Sequence, residues 1–174
     1  MHELAEQDRS RFPYGRGEMP KRSAGLLLFR RRGDVEVLLV HPGGPFWAKR
    51  DDGAWSIPKG EVERDEDPLA VAFREFGEEL GHEPPASPRP ASLGELRQPG
   101  GKRVHAWAVA GDLDVRDVRS NTFTMEWPPR SGRMTEFPEV DRAAWFDLPT
   151  ARVKILSGQL GFLARLEESL AEEA

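Results

Sequence analysis

Apolar residues recur along this chain at two spacings, and the switches between them mark its elements. Residues 23–31, SAGLLLFRR, and 35–41, VEVLLVH, are apolar almost without a break, the pattern of strands buried on both faces. The Gly33-Asp34 pair between them predicts a hairpin. Further on, Leu69, Ala72, Phe73, Phe76 and Leu80 fall on one side of a helix. Period-two patterning then returns in Ala91–Arg97 and in residues 102–111, joined by Pro99-Gly100-Gly101, and again in 121–127 and 143–147. Between the last two strands, residues 132–141 read as a polar loop. Leu156, Leu160, Leu163, Leu166 and Leu170 end the chain as a core-facing amphipathic helix with Ser157 as its cap. Residues 1–20, broken by Pro13, Gly15, Gly17 and Pro20, read as a flexible arm, with folding over the partner of a homodimer as the alternative. Residues 21–174 then form a single α/β domain with a mixed sheet.

The helix in the middle has sharp limits. Asp67 followed by Pro68 is a start signal, an acidic cap and a proline at the first helical position, and Gly81 is a stop, so the helix should span Pro68–Leu80. Opposite its apolar side it gathers Glu75, Glu78 and Glu79. Two such charges about 6 Å apart repel by about 3 kcal/mol at an effective dielectric of ~20, so an acidic face shielded from water calls for a cation. Gly77, in the helix interior, costs about 1 kcal/mol against alanine and implies close packing there.

Composition narrows the chemistry. The chain has no cysteine and four histidines, so disulfides and thiol catalysis are excluded and a cation would meet oxygen donors, which favours magnesium or manganese over zinc. A net charge of -5 argues against bulk nucleic-acid binding and for a small-molecule nucleotide as the substrate. Nothing approaches the ~20 apolar residues of a membrane span, and residues 1–11 lack the core of a signal peptide, so a cytoplasmic protein is expected.

The stretch from Gly60 to Gly81, GEVERDEDPLAVAFREFGEELG, resembles the signature of the Nudix hydrolases. Gly60, Glu66, Arg74, Glu75, Phe76, Glu78, Glu79 and Gly81 occupy its positions in order, and only His82 stands where an aliphatic residue is usual. The resemblance implies an α/β/α sandwich and Mg²⁺- or Mn²⁺-dependent cleavage of a phosphoanhydride in a nucleoside diphosphate linked to another group. It implies metal ligation by Glu75, Glu78 and Glu79 and by a backbone carbonyl at Lys59 or Gly60. Arg74 would orient the acids, and Glu66 would fix the loop onto the helix. The general base stays open among Glu75, Glu79 and Glu139. Glu139 precedes Trp145 by six residues, a spacing similar to that in diadenosine tetraphosphate hydrolases, and is the first candidate for a further metal ligand, ahead of Glu136 and Glu126.

The lead-in Trp55-Ser-Ile-Pro-Lys-Gly60 is also similar to that subgroup and to predicted NTP pyrophosphohydrolases. Lys59 suits a polyphosphate oxygen. Arg97, Lys102 and Arg103 are candidates for clamping the other phosphates, and Trp55 for stacking on a base, although a tryptophan in such a position is more often a core aromatic. A dinucleoside polyphosphate or an NTP is the leading substrate. Pro99, where such hydrolases carry a tyrosine, points instead towards ADP-ribose. The absence of cysteine rules out the isopentenyl diphosphate isomerases that share the fold, while a non-catalytic nucleotide sensor remains the alternative of another class.

Overall fold

The computed structural model describes residues 21–87 and 89–174; the arm expected over residues 1–20 lies outside them. β1 (Arg22–Arg32) and β2 (Asp34–Pro42) form the expected hairpin, turning at Gly33. A three-residue strand, β3 (Lys59–Glu61), precedes α1 (Pro68–Leu80), whose limits coincide with those read from the sequence. Asp67 caps α1 by accepting from the Ala70 N–H at 3.1 Å, and Gly81 ends it in the left-handed region at φ 70°. β4 (Ala91–Arg97) and β5 (Arg103–Ala110) follow, then β6 (Thr122–Glu126), β7 (Met134–Pro138) and β8 (Val140–Asp147), then α2 (Leu148–Lys154) and α3 (Leu160–Glu172).

Five strands run in the order β4-β5-β1-β2-β8, and β3 joins them through β1. β1 and β5 are parallel and the other pairs antiparallel, so the sheet is mixed. Alternation along the central strands sorts their side chains onto two faces. Ala24, Leu26, Leu28, Leu38 and Val40 pack with Val71, Ala72, Phe76 and Leu80 of α1. Leu27, Val37 and Leu39 pack with Ala151 of α2 and with Phe162, Leu163 and Leu166 of α3. The result is the α/β/α sandwich, with a two-stranded ribbon, β6-β7, outside the main sheet.

Several expectations need correction. Residues 134–138, read as polar loop, form β7, which pairs with β6 through the backbone; Thr135 and Phe137 are half-buried on one face of the ribbon while Met134, Glu136 and Pro138 are exposed on the other. Asp147-Leu148-Pro149 does not merely end a strand. Asp147 caps α2 by accepting from the Thr150 N–H at 2.8 Å. Ser157 does not cap the last helix; it opens a 3-10 turn, and α3 starts at Leu160 with no side-chain cap.

The segment entering α1 is a wedge between β1 and β2. The Leu26 N–H donates to the Pro58 carbonyl at 3.1 Å, and Ser56 exchanges two backbone bonds with Val40. From the opposite layer the buried Gln159 accepts from the Ile57 N–H at 3.0 Å and donates to Ser56 Oγ at 3.0 Å. Gly25 is required here, since a Cβ would meet the Pro58 carbonyl oxygen and lie 2.8 Å from Lys59 Cβ. Backbone on both sides therefore fixes where Lys59 and Gly60 stand before α1 begins.

Candidate functional site

α1 presents its acids to β3. Gly60 packs so tightly on the helix that a Cβ there would fall on the Glu75 carboxyl, which is the physical reason for glycine at this position. One turn further along, Glu79 Oε2 accepts the Lys59 N–H at 3.2 Å. Glu78, more exposed, projects beside them. Arg74 donates to Glu66 at 2.7 Å and lies 3.8 Å from Glu75 and 4.0 Å from Glu78. It thereby ties the loop before the helix to two of the helix acids.

The ladder distinguishes the two backbone candidates. The Leu26 N–H donates to the Pro58 carbonyl and the Val62 N–H to the Arg22 carbonyl, so in the alternation of an antiparallel pair Gly60 is the residue that bonds Ala24. The Gly60 carbonyl thus already accepts from β1, which favours the Lys59 carbonyl of the two as a ligand. Gly60 contributes the space it leaves for Glu75. Lys59 is the outward member of the ladder, and its N–H and C=O leave β1 on the side where Glu79 stands.

Glu139 reaches this group from a distant part of the chain. Its backbone holds Gly43 through the Gly43 N–H (2.9 Å) and Asn121 through its own N–H (2.9 Å), while the Asn121 N–H donates to the Glu78 carbonyl at 3.0 Å. Burial raises the Glu75 carboxyl above its ordinary range; Glu78 and Glu139 add to the rise, and Arg74 and Lys59 oppose it. Burial pushes Glu79 up to about 8 against the nearby Lys59, with Glu75 and Glu139 contributing. Negative charge is in excess at this point of the molecule.

Lys102, on the β4-β5 hairpin, lies near Lys59 and Glu61. It is half-buried, and burial first and the Lys59 charge second lower its pKa, with Glu61 opposing. The other two hairpin cations are less committed to the acids. Arg103 is exposed and donates to Glu95 at 3.2 Å, and Arg97, its partner across the hairpin, is exposed with no ion pair among the described residues. Glu136 lies on the outer side of the ribbon and Glu126 accepts the Gly132 N–H at 3.1 Å, so neither approaches as Glu139 does.

Trp55 is a correction. Only 4% exposed, it lies in the core against Phe146 and His41, and its indole N–H donates to Asp51 at 2.8 Å, so it has no face to offer a base. Pro99 packs against Gly158 at the start of the last helical segment. His82 is accommodated by a polar contact: its Nε2 pairs with the Asp117 carbonyl at 2.8 Å.

A feature the sequence reading missed adjoins the acids. A cleft of about 430 Å³ opens between residues 42–47 and the ribbon, lined by Phe46, Trp47, Phe123, Met125 and, at one end, Glu139. The alternating apolar residues of β6 were a sign of one buried ribbon face, but the partner loop is some eighty residues earlier.

A divalent cation is the group this donor set fits. The donors are hard oxygens; burial raises the Glu75 and Glu79 carboxyls, with neighbouring acids adding to the rise, and a cation would offset the cost of keeping them ionised there. Among the described residues no three acids or histidines are already drawn together as a metal cage, so Glu75, Glu78, Glu79 and Glu139 would close in on binding.

The NUDIX domain family model matches residues 19–166. An RNA pyrophosphohydrolase of Hydrogenovibrio crunogenus is 42% identical over 55 residues, 30% of this chain and 33% of that protein. One from Gluconacetobacter diazotrophicus is 37% identical over 76 residues, 42% of this chain and 41% of that protein. The matches thus span less than half the length of those relatives. Among solved structures, a Caenorhabditis elegans Ap4A hydrolase binary complex superposes with a TM-score of 0.61 at 21% identity, covering 86% of this chain and 98% of the other. The NUDIX domain of Shewanella oneidensis NrtR, complexed with ADP ribose, gives 0.60 at 18% identity, covering 98% and 99%. At such identities these two establish the shared fold. Among the described residues no helix is long and apolar enough to cross a membrane.

Proposed function

The chain belongs to the NUDIX domain family, and from that premise we propose that it is a divalent-metal-dependent hydrolase of phosphoanhydride bonds in nucleoside polyphosphates. The observation that carries the reading is the packing of Glu75 on Gly60 and of Glu79 on the Lys59 N–H, with Glu139 brought alongside. Glu75, Glu78, Glu79, Glu139 and the Lys59 carbonyl are the residues that would hold Mg²⁺ or Mn²⁺. When bound, the cation neutralises phosphate oxygens and lowers the pKa of a water. The chain's own contribution is positioning. Arg74 fixes the acids, Lys59 and Lys102 offer two cations for non-reacting phosphates, and one of Glu75, Glu79 and Glu139 takes the proton of the attacking water.

A dinucleoside tetraphosphate or an NTP is the preferred substrate. The sequence hint towards ADP-ribose rested on Pro99, which faces Gly158 rather than the acids. The RNA pyrophosphohydrolase relatives make a 5′-triphosphorylated oligonucleotide a necessary comparison, although the net charge of -5 weighs against a polymer. In a panel of dinucleoside polyphosphates, NTPs, ADP-ribose and 5′-triphosphorylated RNA, read by released phosphate or pyrophosphate, the first two should turn over fastest with Mg²⁺, and chelation should abolish turnover. ADP-ribose or RNA faster by orders of magnitude would overturn the substrate, and no cleavage of any phosphoanhydride with Mg²⁺ or Mn²⁺ would overturn the hydrolase reading.

A further inference from the structure

We infer that the cleft between residues 42–47 and the β6-β7 ribbon is a base-tolerant stacking site, holding the nucleobase of a substrate whose phosphates lie over the acids of α1. This rests on the hydrolase reading and adds to it where the base lies and how it is recognised. The first observation is continuity. Glu139 lines the cleft, and its N–H donates to the Asn121 carbonyl while the Asn121 N–H donates to the Glu78 carbonyl of α1, so one residue borders both regions. The Gly43 N–H on the Glu139 carbonyl fixes the loop wall relative to the acids.

The second observation is the chemistry of the walls. Phe46 is 64% exposed, an unusual hydration of a large apolar ring, and it is held edge-on to Trp127 with centroids 5.6 Å apart. Phe123 and Met125 supply the facing wall from β6. Glycine is needed for the loop to come so close: Gly44 has φ 94°, and a Cβ on it would lie 2.9 Å from Phe123 Cζ. At about 430 Å³ the cleft is within the ~300–1,000 Å³ typical of small-molecule sites.

The third observation concerns what the walls lack. Pro42 and Pro45 carry no N–H, the Gly43 N–H is already spent, and Phe46, Phe123 and Met125 have no polar side-chain group, which leaves the Trp47 indole N–H and the Glu139 carboxylate as the polar side-chain groups of the lining. Few donors or acceptors remain to read the edge of a base, so stacking dominates. A site that hydrogen-bonds one particular edge rejects the wrong ligand by ~10⁴-fold or more, whereas stacking is indifferent to base identity because every base has a π-face.

The test measures binding of ATP, GTP, UTP and inorganic tripolyphosphate by calorimetry with Mg²⁺, on the full chain and on Phe46→Ala, a surface change that spares the core. The three nucleotides should bind the unaltered protein within about tenfold of one another, and Phe46→Ala should weaken each by roughly five- to a hundredfold. Tripolyphosphate, which has no base, should be unaffected. In turnover the same variant should raise KM for nucleotides while kcat holds. Equal nucleotide affinity in both proteins, or discrimination among bases beyond ~10³, would overturn the cleft assignment while leaving the hydrolase reading intact. Tight nucleotide binding lost in Phe46→Ala, but with no hydrolysis by the unaltered protein, would keep the cleft and sink the hydrolase reading.

Discussion

Glu79→Gln should leave the protein folded and lower turnover by at least about 10³-fold, the scale on which loss of a metal ligand or general base is felt. The amide keeps the shape of the carboxyl, and one of its polar atoms can still meet the Lys59 N–H that Glu79 now accepts at 3.2 Å. It removes the charge. The same substitution should stabilise the metal-free protein, and the direction follows from linkage. Burial raises the Glu79 carboxyl to about 8, so its ionisation opposes folding. The stability of the metal-free protein is then full below the ordinary carboxylate pKa of ~4.3 and declines as pH rises through about 8. At pH 8 Glu79→Gln should accordingly be more stable by on the order of 1 to 3 kcal/mol, a figure reduced for water that reaches the site, and at pH 4 the difference should vanish. Thermal melts of both proteins, with and without Mg²⁺, check this. Mg²⁺ should raise the Tm of the unaltered protein and close the gap. Retained activity in Glu79→Gln would remove Glu79 from the chemistry.

Gly60→Ala separates placement from charge. Every carboxylate is retained, yet the new methyl group falls on the Glu75 carboxyl. What must move is the end of a flexible side chain rather than backbone, so stability should change by less than ~1 kcal/mol. Glu75 cannot keep its position, and kcat should fall about 10- to 100-fold because a misplacement on the ångström scale costs that much. A urea melt and steady-state kinetics on the same preparation give both numbers. Unchanged kcat would show that Glu75 need not lie where it does.

The parts that sequence made legible were those decided locally. α1 was bounded correctly because Asp67, Pro68 and Gly81 are themselves the start and stop chemistry, and its two faces follow from helical period alone. β7 was missed because Met-Thr-Glu-Phe-Pro shows no apolar alternation, its half-buried positions being Thr135 and Phe137, and its partner is another short strand, so no core run announces it. α2 was missed although Asp147 and Pro149 repeat the capping logic of Asp67 and Pro68; a helix of seven residues has too little periodicity to add. Glu139 was found by its spacing from Trp145, but its approach to the acids depends on bonds to Gly43 and Asn121 that no local pattern shows. The burial of Trp55 and the cleft at Phe46 depend in the same way on which distant segments meet. A ring is core or platform according to its neighbours, and sequence gives only the ring.

The acidic face of α1 should grip a cation that in turn grips phosphate. The most direct test is anomalous scattering from crystals grown with Mn²⁺ and a slowly hydrolysed nucleotide. Manganese density is expected within ligand distance of Glu75 and Glu79 and in contact with a phosphate oxygen. Well-ordered nucleotide phosphates with those carboxylates free of metal, or manganese bound elsewhere on the molecule, would contradict it.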